Sequence, residues 1–216
     1  MANVIADGSI LSIGSTLATA VAMSAISNAA EAVATLGGGH GSVVGDFLQI
    51  ASGWPSLDGK VLRVKTVVTN DVTLEGFSTL DTGVFPAGGG VGTSQRITVF
   101  TNIAQIVGFT TEGGEQNYDD FQYLNETQQR RVPTNKSPLV ANIELADDIT
   151  LSQMAILRTA ETLATPRPMR IIFRNGSRTV ASGFWSMANM AKIELGKANK
   201  RSLVCALACI PQEYAT

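Results

Sequence analysis

Charge is scarce in this chain. Of its 216 residues only 16% are charged, against roughly a quarter in ordinary soluble domains. A surface that poor in charge suits a protein whose exterior ends up covered by copies of itself or by partners. The formal net charge is -2, so no basic excess argues for nucleic-acid binding. Histidine occurs once, His40 in a GGGHGS turn. No GK[ST] follows to make a phosphate loop, and a lone His gives neither a zinc cluster nor a Ser-His-Asp arrangement. Two cysteines, Cys205 and Cys209, sit in RSLVCALACI, which reads as a strand. Positions i and i+4 of a strand lie roughly 13 Å apart, too far for a disulfide. They read as small core residues, consistent with assembly in a reducing compartment. Aromatics are few, with two Trp and three Tyr, which leaves little for a carbohydrate-binding cleft. No apolar run approaches the about 20 residues of a membrane span, so no membrane anchor is expected. No basic stretch precedes an apolar run, so no signal peptide is expected either.

Acids do occur in pairs, at Asp119-Asp120 and Asp147-Asp148. The second pair precedes a helix signal, where negative charge is favourable anyway. Sequence neighbours do not define a carboxylate cleft. Asn-x-Ser/Thr triplets, such as those at Asn125 and Asn175, are short enough to arise by chance. The sequence therefore assigns no catalytic residue, no cofactor and no metal site, and an enzyme is not expected.

What is abundant is glycine, 21 residues, set with Thr, Ser and Val between short apolar runs. That is a mainly β pattern. Ser9–Ile13 begins it as a short strand. Residues 17–36 are ambiguous: alanine favours helix, yet alternation also permits a strand pair turning at Asn28. Short strands follow at Asp46–Ala51, Lys60–Val68 and Val72–Gly76, a spacing that suits a small β-barrel-like module. Pro86–Gly92 reads as a linker. A second body starts with Arg96–Gly108 as a long strand or bent pair. Residues 113–138 read as a long polar loop, and Leu139–Leu145 as another strand. One helix is signalled from about 150 to 162, with Thr150 and Gln153 as a capping box and Ile149 and Met154 as a staple. Its apolar residues form two sectors, one with Ile156, Leu157, Ala160 and Leu163, the other with Leu151, Met154 and Ala155. A surface helix needs one stripe, so two suggest a helix wedged between its own body and a neighbour. The chain then ends in hairpins. Met169–Arg174 and Ser177–Phe184 flank Asn175-Gly176, a strong hairpin signal, with Met169, Ile171, Phe173 and Val180 expected on one face. Ala188–Leu195 and Ser202–Ile210 form a second pair.

Charge is unevenly placed. Residues 1–116 carry four basic and nine acidic residues, whereas 165–216 carry eight basic and two acidic. An acidic front and a basic back can serve head-to-tail association; they are equally compatible with two solvated faces.

The second body also carries a resemblance. A long strand leads to GGEQNYDDFQYL, then a strand, a helix after ADD, and IIFRNGSRTVASGFWSMANMAKIELGKANKRSLVCALACIP. In order and spacing this resembles the tail tube, or major tail, proteins of lambda-like long-tailed bacteriophages (siphophages). The likeness covers about Arg96 to Pro211, with Ser9–Ile13 as the first strand. It implies a β-sandwich or barrel with one flanking helix, made of residues 1–16 and 94–216, with 17–93 as an inserted small β module facing outward. That module either decorates the tube or reinforces the rings. The implied function is structural: hexameric rings stacked into a hollow conduit for a tape-measure protein and for DNA ejection. The implied partners are the chain itself, the tape-measure protein, and tail terminator and distal tail proteins, with DNA passing without specific binding. The implied location is the virion tail, assembled in the host cytoplasm. A single-ring tail assembly protein of the same fold is the main alternative, and an adhesion or carbohydrate-binding β module a further one.

For inter-subunit or inter-ring contacts the polar segment supplies Glu112, Glu115, Tyr118, Asp119, Asp120, Phe121, Tyr123, Arg130 and Arg131. For basic assembly contacts the closing hairpin supplies Arg170 and Arg174, expected to leave the core and meet acids of a neighbour. The remaining basic residues there, among them Arg167, Arg178, Lys192, Lys197, Lys200 and Arg201, are expected outside the lumen. A conduit lined with cations would grip phosphate.

Overall fold

The computed structural model describes residues 8–193, 195–196 and 198–215. It is mainly β with one helix. The first strand, β1 (Ile10–Leu17), starts where the sequence placed it and continues past the expected end at Ile13. Next come β2 (Val21–Ile26), β3 (Val33–Leu36), β4 (Phe47–Ser52), β5 (Val61–Val68), β6 (Asp71–Leu74) and β7 (Gly92–Asn102). They pair antiparallel in the order β2-β3-β6-β5-β4-β7, and β7 pairs back onto β2, closing a six-stranded barrel. Closure removes free edges. Alternation fills the interior: Leu48 and Ile50 point in beside Met23, Leu62, Val64 and Leu74.

Residues 17–36 thus form the strand pair and not the helix. Tertiary bonds override alanine propensity here. The Asn28 amide donates to the Thr79 and Phe85 carbonyls at 2.8 and 2.9 Å, pinning the turn. The run Pro86–Gly92 is mostly exposed but is anchored to the barrel. The Trp54 indole donates to the Pro86 carbonyl at 2.9 Å, and a Cβ on Gly90 would run into Ile26 and Trp54.

β7 belongs to both halves of the molecule. Residues 92–96 pair with β4 on one side, and 92–94 with β2 on the other. Beyond them Ile97–Asn102 pair with β1. A strand of 11 residues therefore runs through the barrel wall into the body.

The body adds β8 (Ile106–Glu112), β9 (Gln116–Phe121), β10 (Arg130–Lys136), β11 (Val140–Ala146), α1 (Ser152–Leu163), β12 (Arg167–Ile172), β13 (Arg178–Met187), β14 (Lys200–Leu207) and β15 (Gln212–Tyr214). Its sheet runs β7-β1-β12-β13-β14-β11-β8, with β15 beside β13. Leu11, Ile13, Ile143, Leu145, Trp185 and Leu203 form its core, closed by α1 through Met154, Leu157 and Ala160. The helix buries one stripe, not two: Met154 joins Leu157, while Ala155 and Leu163 are exposed.

The helix start differs from the capping box. Leu151 is the N-cap and makes no side-chain cap bond. The Thr150 hydroxyl donates to Asp148 at 2.6 Å. Gln153 is buried and clamps the corner between β7 and β8, accepting from the Ala104 N–H at 2.6 Å and donating to its carbonyl at 3.0 Å. That corner needs a clamp because Gln105 takes a positive φ of 59°.

Two hairpin readings are also corrected. Val180 lies opposite Arg170, not beside Met169. Directly paired residues share a face, so Val180 joins Phe47, Val61, Ile97 and Tyr214 in a separate cluster between barrel and body. Residues 188–193 and 195 form no strand apart from a bridge between Lys192 and Lys200; Glu194 lies outside the described residues. The partner of β14 along this stretch is the long β13.

Candidate functional site

The segment 113–138, read as a polar loop, is a two-stranded hairpin. β9 and β10 pair only with each other, so they form an arm that continues β8 and β11 away from the body. Glycine makes the departure possible. Gly113 sits at φ +85°, and a Cβ there would collide with the Pro138 carbonyl. The arm has two faces set by register: Tyr118 is opposite Pro133 and Asp120 opposite Arg131, while Asp119 is opposite Val132 and Phe121 opposite Arg130.

Most of the arm's charge is satisfied internally. Arg131 grips Asp120 with two bonds of 2.7 and 2.9 Å, which holds the Asp120 carboxyl below its usual range. Its guanidinium lies 5.6 Å from the Tyr118 ring. Arg130 pairs with Glu126 and lies 5.7 Å from the Tyr123 ring. Phe121 and Tyr123 meet edge to face at 5.3 Å. These contacts stiffen the arm without a hydrophobic core, and leave Tyr118, Tyr123 and Leu124 exposed. Of the other predicted acids, Glu112 ends β8, Glu115 lies in the turn before β9 and Asp119 in β9. All three are exposed, and none is in an ion pair among the described residues. The prediction that Asp120 waits for a neighbour's arginine therefore meets a competitor within the arm.

The two predicted arginines have different settings. Arg174 is exposed at the hairpin turn after β12. Arg170 leaves the helix-side core as expected, but its guanidinium stacks 3.9 Å from the Phe100 ring centre. Its Nε is buried without a partner. Burial, and then the neighbouring Arg178, push its pKa down. Elsewhere the basic excess is partly consumed inside the chain. Arg201 is buried against Asp147 at 2.7 Å and donates to the Ala188 and Asn189 carbonyls, and Lys200 pairs with Glu144 at 3.0 Å. Lys197 lies outside the described residues.

Sequence reasoning missed two further features. The first is the end of the sheet. Among the described residues β8 has one neighbour, β11, and Val107 and Phe109 on it are exposed. The sheet curls so that β8 returns toward β1 and β12, leaving a cavity of about 450 Å³ lined by Leu11, Ile106, Phe109, Ile171 and Phe173. An open edge with exposed apolar side chains is a template for pairing with another chain. The second is the seam between barrel and body. Tyr214 accepts from the Arg63 backbone N–H at 2.9 Å, Ser182 donates to the Gly59 carbonyl at 2.5 Å, and the Gln49 amide donates to the Pro166 carbonyl at 3.1 Å. Both features join residues far apart in sequence, so no local signal announces them.

Among the described residues no group of three or more His, Cys, Asp or Glu is placed to hold a metal ion, and no helix is long and apolar enough to cross a membrane. A projecting arm, an exposed strand edge among the described residues and a sequence poor in charge are features of the class of structural β-proteins. The comparison with known proteins agrees with that class. The model of one family, phage tail tube protein, matches residues 52–216, and the chain belongs to that family. The match starts inside the 17–93 segment, so it includes the second half of the barrel as well as most of the body. No curated protein matches the chain.

Proposed function

We propose that the chain is the tail tube subunit of a siphophage, polymerising as stacked hexameric rings around a tape-measure protein and leaving a conduit for DNA. Family membership supports self-assembly into a tube in the virion tail. The observation that carries the finer reading is the arm together with the open β8 edge. In this reading β8 pairs laterally with a neighbour, which extends the sheet around a ring and removes its edge. The arm, with Tyr118, Phe121 and Tyr123 presented on a charge-paired hairpin, reaches a subunit of the next ring. Segment 17–93 faces outward between β1 and the body half of β7. Arg170 and Arg174 meet acids of a neighbouring subunit and stay out of the lumen. Tail terminator and distal tail proteins cap the ends, and assembly takes place in the host cytoplasm.

Negative-stain microscopy of the purified protein at high concentration tests the proposal. Long hollow tubes of regular axial repeat are the expected result. Single closed rings at every concentration would favour a terminator or distal tail protein instead.

A further inference from the structure

Lys60 is the most unusual cation in the molecule. It opens the chain path into β5, and its side chain turns into the seam between barrel and body. It is only 8% exposed. Among the described residues no carboxylate lies within ion-pair distance of it. Its ammonium lies 5.6 Å from the Phe77 ring centre, and it lines a cavity of about 400 Å³ with Phe77, Val84, Phe85, Cys209 and Ile210. The other titratable groups there are Asp58, whose carboxylate already accepts the Ser52 N–H at 3.0 Å, and the Cys209 thiol. A buried ammonium without a counter-charge is expensive to keep. Burial pushes the Lys60 pKa down, with Cys209 acting weakly in the opposite sense.

We propose that Lys60 is a covalent modification site, a nucleophilic amine that captures small apolar aldehydes in this cavity. Three observations converge on it. The apolar walls disfavour the charged form, so more of the amine holds a free electron pair at neutral pH. The cavity has room for a ring-sized reagent and opens to solvent. The phenylalanine walls give such a reagent a surface to bind before it reacts, which raises its local concentration. The chemistry balances without an oxidant. The amine nitrogen attacks the carbonyl carbon, its two protons pass in turn to the former carbonyl oxygen, and that oxygen leaves as water while the C=N bond of the imine replaces the C=O. Lys65 and Lys136 are both exposed on the surface and have no such walls.

The test is reductive trapping with benzaldehyde and cyanoborohydride, read by peptide mass spectrometry on the intact wild-type chain. At neutral pH Lys60 should label faster than Lys65 or Lys136, since burial against apolar walls raises the share of its amine that holds a free electron pair. The pH midpoint of its labelling rate should also lie below theirs, which mere accessibility would not produce. Lys60→Arg should remove that fast phase and leave the slow sites unchanged. Phe77→Leu keeps the cavity apolar but removes the ring, and should slow Lys60 labelling with benzaldehyde more than with acetaldehyde. Labelling of Lys60 no faster than Lys65 would overturn the proposal, as would a fast phase that survives Lys60→Arg.

Discussion

At the scale of single residues, the structure rests on polar side chains that reach across the chain. Gln153 is one. It satisfies both backbone groups of Ala104 at a corner where Gln105 adopts a left-handed conformation. Gln153→Leu keeps the volume near constant but removes both hydrogen bonds to the Ala104 backbone, each worth about 0.5–1.5 kcal/mol. Chemical denaturation should show a lower midpoint at an unchanged slope, the unfolding free energy falling by the sum of the two bonds. Tyr214 is another. Burial, partly opposed by its bond from Arg63, pushes its pKa up to about 12, while an unfolded tyrosine titrates near 10. The folded state then holds the phenolic proton more tightly than the unfolded state does. Stability from this group is constant below about pH 10 and is lost as pH rises toward about 12. The Cys205 thiol, also raised by burial to about 12, adds loss over an overlapping and lower-starting range. Tyr214→Phe should lower stability modestly at neutral pH and flatten the part of the alkaline decline above pH 10. An alkaline curve identical to wild type would show that Tyr214 is not the titrating group.

At the scale of elements, the arm differs from every other strand pair. β9 and β10 have no partner sheet and no core beneath them, and a lone two-stranded hairpin is marginal in water. Its ion pairs are exposed and screened by salt. The arm should therefore open readily in a free subunit and gain order by docking on a neighbour. Hydrogen exchange should be fast across 116–136 in the dispersed subunit and slow in assembled tubes, with β11 and β14 protected in both. Strong protection of the arm in the dispersed subunit would contradict this. The helix shows the opposite economy. Its single buried stripe is fully used by its own body, so α1 is not free to wedge against a neighbour through Met154.

At the scale of the whole molecule, barrel and body act together because β7 runs through both and the seam is both hydrogen-bonded and apolar. Excising residues 17–93 would remove Phe47 and Val61 and uncover Val180 and Tyr214. Point changes are therefore the sharper probe of assembly. Arg170→Glu with Arg174→Glu should leave the subunit folded while slowing or abolishing tube formation, scored by sedimentation and microscopy. Arg170 also stacks on Phe100, so Arg174→Glu alone separates assembly from folding. Normal assembly of both variants would show these contacts to be dispensable.

Glycine, short apolar runs and low charge dictated a mainly β chain, and they placed the start of β1, the strands β4, β5, β6 and β11, and the turn of the Asn175-Gly176 hairpin within a residue or two. Those signals are local: alternation and turn chemistry act between neighbours in the chain. The order of motifs from Arg96 to Pro211 likewise resembles that of tail tube proteins. Only the tertiary structure decided the rest. Alanine-rich 17–36 became strands because Asn28 bonds to Thr79 and Phe85, about 50 residues away. The polar 113–138 became a hairpin because its residues pair across the arm and not with a core, so hydrophobic periodicity never marked it. Val180 changed faces because cross-strand register, and not distance along the chain, sets which side chains meet. Gln153, Tyr214 and Lys60 draw their roles from partners and walls that the sequence lists far apart and that folding brings together.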